Sequence, residues 1–486
     1  MVLVLTMVVL QSISFANYAL TTKTTNIIQG SAPYLTFDGG RTRVTETFFP
    51  NKLHWISLSD GRKFDGGSIR SDVDPIILPV AGQSFEDIDM VVPKNADSIE
   101  LSSLIGEPYN YWGDDDGDGQ GIDGITATGS INLSIVDRKG QPVARNEVLD
   151  ICKAPYILTL SNTDITLKTR YGIPNERFIH DSYIIYYINP KVESQQQICV
   201  AKPNMRFGGA LLPDSSWIYK RHLGPASMWN PNMGFLTQSF TPSSYDLNFP
   251  TTGANNLSFD LEIGGVRHMY IDWEVITSGD IKATITRSSK NSSTSITVTL
   301  TGPAITDNSQ KDTNNPSPIG IPSLPQAFEI VGKMKDGGRE TGVVVKYGFV
   351  LKQWFVNRQK RFYTYRDTST WCTKVGYRMP TVKDLTNASC KGEGVGNPYY
   401  CEGSVGATPS APNNYYTRHI GAGFFSEWGK MQDYSGGDFH GGRNYDDAYY
   451  WTSDRSPHNA FFVVNSNTGA ISVNMYSERY GVCVYP

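Results

Sequence analysis

The amino-acid sequence predicts a mainly β protein that is divided into several domains. Its 486 residues suffice for about three domains of ordinary size. Charged residues make up only 19% of the chain, and Gly, Pro, Tyr, Ser, Thr and Asn are abundant, which is typical of β-rich exported proteins. Short alternating apolar stretches between turn residues recur along the chain, whereas residues 20–108 sustain no helical periodicity and are predicted to form an N-terminal β-rich region.

The first 19 residues are predicted to be a signal peptide. The apolar run at residues 2–10 is followed by small residues around Ala16 and Ala19 that suit a cleavage site, although the usual basic start is lacking. A buried strand is the alternative. Because no other run approaches the ~20 apolar residues of a membrane helix, the chain is expected to be secreted or surface-exposed after passing through the periplasm.

An acidic, glycine-rich loop at residues 111–124 has the spacing of half a calcium site. Three aspartates at alternate positions precede a glycine, as in the first half of an EF-hand loop. The twelfth position is isoleucine where an EF-hand has glutamate, so a fourth aspartate or a remote residue must complete the coordination. An acidic, solvated turn is the alternative. The predicted ligands of a structural Ca²⁺ are Asp114, Asp116, Asp118 and Asp123.

Residues 109–305 are predicted to form an immunoglobulin-like β-sandwich. Apolar residues alternate at Ile131, Leu133 and Ile135, and the segment 137–143 is a turn into the next strand. Several short strands with turns between them favour a sandwich. Further strands are predicted over residues 183–188, 257–263, 281–286 and 295–300.

Residues 306–325 are polar and punctuated by prolines. This composition is typical of a semi-rigid linker. We therefore expect the linker to hold the last part of the chain away from the body.

The last third of the chain carries the most specific pattern. The segment Arg-Met-Pro-Thr at residues 378–381 is extended and stops at proline, and Thr381 is the predicted N-cap of a short helix with Asp384 at its third position. The apolar segments 460–464 and 470–475 flank a turn with glycine at its tip, which predicts a β-hairpin.

This ordered combination resembles the C-type-lectin-like module that ends invasin and intimin adhesins. The resemblance covers roughly residues 322–486 and rests on the Arg-Met-Pro-Thr segment, on Tyr-Tyr-Trp-Thr-Ser at residues 449–453, and on the closing strand with Cys483. It implies a C-type-lectin-like α+β domain, assigned to residues 326–486. The signatures of Ca²⁺-dependent sugar binding, Glu-Pro-Asn or Gln-Pro-Asp followed by Trp-Asn-Asp, are missing from this stretch, which argues against metal-dependent sugar binding there.

The middle region also resembles the adhesion domain of unknown function in enterobacterial intimin-like proteins and their exported Zir-type relatives. The resemblance is carried by Trp112, by the Asp/Gly loop, by two cysteines and by the region of Trp217, Trp229 and Trp273. Unlike invasin and intimin, the sequence shows no outer-membrane barrel segment. The resemblance therefore implies cargo that a separate barrel protein exports.

Six cysteines, an even number in an exported chain, are expected to form three disulfides. A zinc site is disfavoured because no Cys-x-x-Cys or Cys-x-x-His spacing occurs. The expected pairs are Cys152 with Cys199, Cys390 with Cys401 and, as the lectin-like resemblance implies, Cys372 with Cys483.

Neither catalysis nor nucleic-acid binding is expected. The sequence has no nucleophile elbow, phosphate loop, zinc-protease helix or dinucleotide motif, and its seven histidines lack ligand spacing. The lectin-like fold is shared with formylglycine-generating enzymes, but Cys390 and Cys401 lack the context of that family. A formal net charge of −4 without a basic stripe excludes a phosphate backbone as partner.

The resemblance implies an adhesin-like protein that binds a host cell-surface protein or glycan through its C-terminal module. The alternative is an exported effector that binds an intimin-like outer-membrane β-barrel and modulates virulence. Loops rich in Tyr, Trp, Gly and Asn suit protein recognition, and an exposed loop is the favoured interpretation of the acidic stretch around His440. The predicted partner-binding residues are Tyr399, Tyr400, Tyr415, Tyr416, Asp433, Asp438, His440 and Tyr445.

Overall fold

The chain forms two compact units in a computed structural model. The first unit comprises residues 1–148 and 156–188, and the second comprises residues 149–155 and 189–486. The structure describes residues 29–44, 52–66, 74–121, 124–191, 198–208, 220–265, 271–288, 295–336, 339–439, 448–474 and 477–486. The predicted signal peptide, Asp123, His440 and Tyr445 lie outside these residues. Among the helices so described, none is long and apolar enough to cross a membrane.

The first unit is built from several small sheets. A five-stranded sheet has the order β4-β13-β10-β9-β6, beside sheets ordered β12-β11-β8, β3-β2-β5 and β1-β7. A short helix, α1, spans Leu101–Ile105, and a 3₁₀ turn spans Phe85–Asp87. The strands are β1 (Tyr34–Leu35), β2 (Ile56–Ser57), β3 (Lys63–Phe64), β4 (Ile76–Ile77), β5 (Asp89–Met90), β6 (Ser98–Glu100), β7 (Trp112–Gly113), β8 (Ile125–Thr128), β9 (Ser130–Val136), β10 (Tyr156–Asn162), β11 (Ile165–Thr169), β12 (Glu176–Ile179) and β13 (Ser182–Asn189).

Sequence alternation sets the register in this unit. Leu158 and Leu160 of β10 are fully buried and lie opposite Ile135 and Leu133 of β9, so one face of the sheet is apolar. The Tyr186 hydroxyl on β13 donates to the His54 carbonyl at 2.7 Å and lies 3.4 Å from the Phe64 carbonyl on β3, which ties the five-stranded sheet to the sheet that contains β3.

The second unit contains two six-stranded sheets and one three-stranded sheet. Their orders are β15-β16-β14-β18-β21-β20, β19-β22-β23 and β17-β24-β28-β25-β26-β27. The strands are β14 (Ile198–Lys202), β15 (Trp229–Asn230), β16 (Gly234–Leu236), β17 (Thr252–Ala254), β18 (Ser258–Ile263), β19 (Ile271–Thr277), β20 (Lys282–Arg287), β21 (Ser295–Thr301), β22 (Gln326–Asp336), β23 (Arg339–Leu351), β24 (Gln353–Tyr363), β25 (Tyr449–Arg455), β26 (Phe461–Asn465), β27 (Ile471–Val473) and β28 (Arg479–Tyr485).

Short helices complete this unit and lie mostly in its last third. The α-helices are α2 (Asn308–Asp312), α3 (Tyr365–Val375), α4 (Val382–Leu385) and α5 (Phe424–Trp428), and 3₁₀ turns span Ile151–Lys153, Lys220–His222, Pro242–Leu247, Pro398–Tyr400 and Met431–Asp433. The prediction of a mainly β chain with several sheets is therefore confirmed, as are the strands predicted around residues 131–135, 183–188, 257–263, 281–286 and 295–300.

Two sheets of the second unit pack face to face as a sandwich. The ring of Phe259 on β18 meets that of Phe349 on β23 edge-on at 5.9 Å, and Phe328 on β22 stacks on Phe349 at 4.7 Å. All three rings are buried. Their burial supplies much of the apolar contact between the two layers.

The predicted linker segment is packed against the C-terminal part of the chain. Lys311 on α2 is buried, the indole of Trp371 donates to the Gln310 carbonyl at 3.0 Å, and the Arg358 guanidinium donates to the Lys311 carbonyl at 3.1 Å. These buried donors need acceptors, and the polar backbone of the segment supplies them. The observed packing thus differs from the expected spacer.

The helix start predicted at Thr381 is confirmed. Thr381 N–H donates to the Asp384 carboxylate at 2.7 Å as a capping box, and Arg378 binds the same carboxylate at 2.7 Å. Burial raises the pKa of Asp384, but hydrogen bonds from Arg378, Gln353 and Thr381 outweigh it and leave that pKa below its usual value. The Arg-Met-Pro-Thr pattern is therefore a fold-forming element.

The hairpin and the disulfides also follow the predictions. Strands β26 and β27 pair antiparallel, and Gly469 in their turn has φ 72°, a conformation that favours glycine. The disulfides are Cys152–Cys199, Cys372–Cys483 and Cys390–Cys401, the three pairs expected from the sequence.

Candidate functional site

A short disulfide-closed loop presents aromatic residues in the second unit. Cys390 and Cys401 are bonded 11 residues apart, and the 3₁₀ turn Pro398–Tyr400 leads into Cys401. The Asn397 side chain accepts a hydrogen bond from Tyr399 N–H at 3.1 Å, and Pro398 fits the first position of the turn. The short motif Asn-Pro-Tyr-Tyr-Cys therefore sets the backbone conformation that carries the two tyrosine side chains.

The Tyr399 ring is exposed and stacks on a histidine from a different part of the chain. Tyr399 is 42% exposed, and its ring centroid lies 4.2 Å from that of His458 at an interplanar angle of 23°. Tyr400 meets the Tyr399 ring edge-on at 5.7 Å. His458 lies in the turn between β25 and β26, so the stack joins the disulfide loop to the turn of a β-hairpin.

A carboxylate and an apolar side chain complete what we call the Tyr399 surface, which consists of Tyr399, Tyr400, Glu402, Val405 and His458. His458 Nε2 lies 3.7 Å from the Glu402 carboxylate, and Val405 is 72% exposed. Ring faces and an apolar group beside one carboxylate suit a protein or sugar contact.

A glycine allows the loop to approach the histidine turn. Gly403 has φ 78°, and a Cβ placed there would come within 2.9 Å of Pro457 Cδ. A side chain at this position would require the loop or the turn to shift, close to the place where Tyr399 stacks on His458. His458 and Val405 were not predicted as contacts. The sequence gives little indication of their role, because neither shares a motif with the tyrosines of the loop.

Tyr415 and Tyr416 differ in burial. Tyr415 is half-buried, with the Arg221 guanidinium 5.3 Å above its ring. Tyr416 is fully buried, its ring is 4.5 Å from that of His222, and its hydroxyl donates to the Asn467 carbonyl at 3.2 Å. The prediction of Tyr416 as a partner contact is corrected: this residue belongs to the core.

Asp433 and Asp438, the two aspartates predicted as partner contacts, each lie beside a basic side chain of the second unit. Asp433 pairs with Arg206 at 3.4 Å and with Lys430 at 3.2 Å, and Asp438 lies 3.5 Å from the Lys311 ammonium. Asp438 also lines a small polar cavity of about 110 Å³, together with Lys311, Asn256 and Asn357. His440 and Tyr445, predicted beside them, lie outside the described residues.

A buried glutamate that the sequence analysis did not single out anchors α5. The Glu427 carboxylate accepts hydrogen bonds from the N–H and hydroxyl groups of Thr251 and Thr252, at 2.5–3.2 Å, and from Gly421 N–H at 2.8 Å. Burial raises the pKa of Glu427. The signal that could have found it is a lone acid between aromatic residues in Phe-Phe-Ser-Glu-Trp.

A buried arginine supports the same region. Arg418 donates to the carbonyls of Phe207, Glu427 and Asn204, and its guanidinium lies 4.7 Å from the Trp229 ring. Burial lowers the pKa of Arg418. Together with Glu427, this residue connects the loops of the last third to strands that precede residue 260.

The acidic loop of the first unit gathers its three described aspartates. Ligand oxygens of Asp114, Asp116 and Asp118 lie within 4.8 Å of one another. Backbone N–H groups brace them: Ser31 donates to Asp116 at 2.7 Å, Gly119 to Asp114 at 3.0 Å, and Tyr171 to Asp118 at 3.0 Å.

Two features of this loop fit a cation. Asp118 Oδ1 is buried and has no hydrogen-bond partner in the described part of the chain. Burial raises the pKa of Asp114, and the neighbouring carboxylates of Asp116 and Asp118 raise it further. Three converging carboxylates and a sharp glycine turn are the hard oxygen ligands that Ca²⁺ prefers.

Fold and surface together define a mainly β, disulfide-bonded protein of two compact units with an exposed aromatic loop. No family model matches the chain, and no curated protein matches it. Among solved structures the chain is similar to invasin, described as a bacterial integrin-binding protein, at 14% identity and a TM-score of 0.32 over 75% of this chain and 52% of that one. The alignment thus spans about half of the invasin chain.

Titin fragments are also similar to parts of the chain. The fragment Titin-A168169 aligns at 8% identity with a TM-score of 0.16, over 48% of this chain and 91% of the fragment. The I-band fragment I67-I69 from titin aligns at 8% identity with a TM-score of 0.14, over 47% of this chain and 59% of the fragment. Likenesses this distant say nothing about activity or partners.

Proposed function

We propose that this protein is an adhesin-like protein, secreted or exposed on the bacterial surface, whose C-terminal part is a C-type-lectin-like module. The module binds a host cell-surface protein or glycan through the Tyr399 surface. The observation that carries the proposal is the exposed Tyr399–His458 stack, held at 4.2 Å by residues from two distant segments. An exposed ring contributes little to core packing. A ring that is both exposed and fixed in orientation is suited to recognition of a partner.

The physical chemistry of this surface supports binding. Tyrosine supplies a large contact area with few rotatable bonds, so little conformational entropy is lost when it is covered. The Cys390–Cys401 bond and the packing of Gly403 on Pro457 limit the motion of the loop before a partner arrives. We also propose that the protein acts by binding and not by catalysis, because the acids near the predicted contacts are paired with Arg206, Lys311 and Lys430.

The test is binding of the full chain to cultured epithelial cells. Fluorescent protein is titrated and measured by flow cytometry for the wild type and for Tyr399→Ala. We expect saturable binding that Tyr399→Ala weakens about 10-fold or more, as for a central aromatic contact. Tyr183→Ala is the matched control, because Tyr183 is 69% exposed in the first unit and should leave binding unchanged.

Three results would contradict the proposal. These are no binding by folded protein, equal binding by Tyr399→Ala, and equal loss with Tyr183→Ala. Binding to bacterial envelopes that carry an intimin-like outer-membrane barrel, without binding to epithelial cells, would instead support the alternative of an exported effector.

We propose in addition that the acidic loop holds a structural Ca²⁺. Asp114, Asp116 and Asp118 would supply carboxylate ligands, and Asp123 is the fourth predicted ligand. The unpartnered, buried Asp118 Oδ1 supports this assignment, since a buried oxygen without a donor is costly. The ion would stiffen a loop whose backbone partners, Ser31 and Tyr171, come from distant parts of the first unit.

A further inference from the structure

The sandwich of the second unit is open along one side. Strand β20 is the edge of the six-stranded sheet, and β19 is the edge of the three-stranded sheet. Four apolar residues on these two strands pack against the core but stay only partly buried. They are Trp273, Val275, Ala283 and Ile285. We call this open side, lined by β19 and β20, the seam.

The seam contains a cavity of about 340 Å³. An apolar cavity of about 150 Å³ accommodates a benzene-sized group, so the seam has room for roughly two such groups. Polar groups of Asp272, Thr286 and Arg287 stand among the lining residues. The apolar lining consists of Ile271, Trp273, Val275, Ile285 and Ile296.

A buried donor points to an occupant with a polar atom. The indole nitrogen of Trp273 is buried and has no hydrogen-bond partner among the described residues. Buried donors are nearly always paired in folded proteins, because an unpaired one loses its hydrogen bond to water without replacement. Trp273 lines the cavity, so a purely apolar occupant would leave this donor unpaired, whereas a backbone carbonyl that reached the indole would satisfy it.

Strand β20 also offers main-chain groups. Among the strands that the structure describes, it pairs with β21 alone, so every second residue directs its N–H and C=O away from the sheet. The exposed Lys282 and Arg287 stand at its two ends, and the strand contains no acidic residue. The neighbouring edge, β19, carries the exposed Asp272 and Glu274. An acidic occupant would therefore pair with β20 in preference to β19.

These charges disfavour a second copy of the chain on the same edge. Antiparallel pairing of β20 with β20 of another copy would gather two lysines and two arginines along one pair of strands that contains no acidic residue. Like charges gathered in this way repel one another. A small ligand could fill the cavity but would leave the edge of β20 unpaired.

We propose that the seam accepts an extended peptide segment of a partner protein as an added strand on β20. Its apolar side chains at alternate positions fill the cavity, one of its carbonyls accepts from the Trp273 indole, and carboxylates at its ends pair with Lys282 and Arg287. Strand addition of this kind takes affinity from main-chain hydrogen bonds and specificity from pockets for alternate side chains. It uses other residues than the Tyr399 surface and does not depend on the function proposed for that surface.

The probe is a fluorescein-labelled peptide, Glu-Val-Thr-Val-Thr-Leu-Thr-Asp, titrated with the full chain and followed by fluorescence anisotropy. We expect saturable binding, together with slower hydrogen–deuterium exchange at amides of residues 282–287. The same peptide with a central proline, which removes a main-chain donor, and a version with lysine at both ends should each bind about 10-fold more weakly.

Paired variants locate the contact. Ile285→Asn places an amide in the cavity and should weaken binding about 10-fold, whereas Thr284→Asn, on the opposite face of the same strand, should not. The exposed double variant Lys282→Glu with Arg287→Glu should keep the fold and reverse the preference, so that the lysine-ended peptide binds better than the acidic one.

Several results would overturn the proposal. One is the absence of saturable binding at peptide concentrations on the order of 1 mM. Others are equal binding of the proline peptide, an unchanged charge preference in the double variant, or binding without protection of residues 282–287. Binding of the apolar dye anilinonaphthalene sulfonate, sensitive to Ile285→Asn and not displaced by peptide, would assign the seam to a small ligand instead.

Discussion

His222 shows how one buried side chain makes the second unit sensitive to acid. Its Nδ1 lies 2.9 Å from the Tyr416 carbonyl, so this nitrogen carries the proton that is donated, and the ring is almost completely buried. Burial lowers the pKa of His222 to about 3, and the nearby Arg418 guanidinium acts in the same direction. The imidazole is therefore neutral in the folded chain at every pH where the protein is expected to work.

The first prediction follows from this difference between folded and unfolded states. In the unfolded chain the histidine pKa is about 6.5. As the pH falls from about 6.5 towards 3, this histidine binds a proton in the unfolded state but not in the folded state. The free energy of unfolding therefore decreases by up to about 1.4 kcal/mol per pH unit. His222→Gln should reduce this loss between about pH 6.5 and 4.5, measured by urea unfolding at both values.

The control for this prediction is His180→Gln, because the His180 side chain is 63% exposed. It should leave the pH dependence as in the wild type. An identical pH dependence in His222→Gln would mean that other groups account for the acid sensitivity. His54, whose burial lowers its pKa to about 4, acts with the same sign in the first unit and should be unaffected by either change.

Tyr415 and Tyr416 show why residue-level contacts were predicted only in part. Adjacent residues of an extended segment point to opposite sides, so one tyrosine of the pair faces the core whichever way the segment lies. Which one does so depends on His222 and Asn467, which are far away in the sequence. Local composition marked the loop correctly as aromatic and could not say which ring was exposed.

At the level of elements, the disulfide loop should control the Tyr399 surface. The double variant Cys390→Ser with Cys401→Ser opens a bridge between residues 11 apart. We expect the fold of the second unit to persist with a loss on the order of 2–3 kcal/mol or less, whereas cell binding through Tyr399 should fall. Thermal unfolding and flow cytometry on the same preparation measure the two effects.

Cys152→Ser with Cys199→Ser is the matched control for the loop variant. It also removes one disulfide of the second unit, but it leaves the 390–401 loop closed. Its cell binding should stay at the wild-type level once the protein is shown to be folded. Full binding by the open-loop variant would show that the bridge does not order the surface.

Helix α5 depends on the buried carboxylate of Glu427. Glu427→Gln replaces one acceptor oxygen by an NH₂ group that must face N–H and hydroxyl donors of Thr251 or Thr252. Opposed donors in a buried site should lower the free energy of unfolding by about 2–4 kcal/mol. Chemical denaturation measures the loss, with Glu402→Gln on the exposed Tyr399 surface as the control that should change stability by less than about 0.5 kcal/mol. Equal midpoints for the two variants would contradict this account.

For the molecule as a whole, local patterns were predictable and long-range pairings were not. The capping box at Thr381, the hairpin around Gly469 and the disulfides depend on short motifs or on cysteine identity. By contrast, β17 pairs with β24, and β19 pairs with β22 across the segment predicted to be a linker. Composition identifies that segment as polar but cannot reveal that buried Arg358 and Trp371 use its carbonyls.

The acidic loop offers the prediction that concerns the stability of the whole first unit. Asp114, Asp116 and Asp118 repel one another, and their backbone partners at Ser31 and Tyr171 lie far away in the sequence. A bound Ca²⁺ would replace this repulsion by attraction only in the folded state, because the unfolded loop does not hold the three carboxylates together. At about 100 times the dissociation constant, such binding adds about 2.7 kcal/mol. The unfolding transition of the first unit should then rise by about 5 °C or more.

Calorimetric titration and thermal unfolding in EDTA or excess Ca²⁺ measure this effect. Asp116→Asn should abolish both the heat of binding and the rise in unfolding temperature. Asp115→Asn makes the same change of charge one residue away, where Asp115 pairs with Arg43 at 2.7 Å, and should preserve both. If Ca²⁺ leaves the wild type unchanged, or stabilises the two variants equally, the loop is a solvated acidic turn held by Ser31, Gly119 and Tyr171 alone.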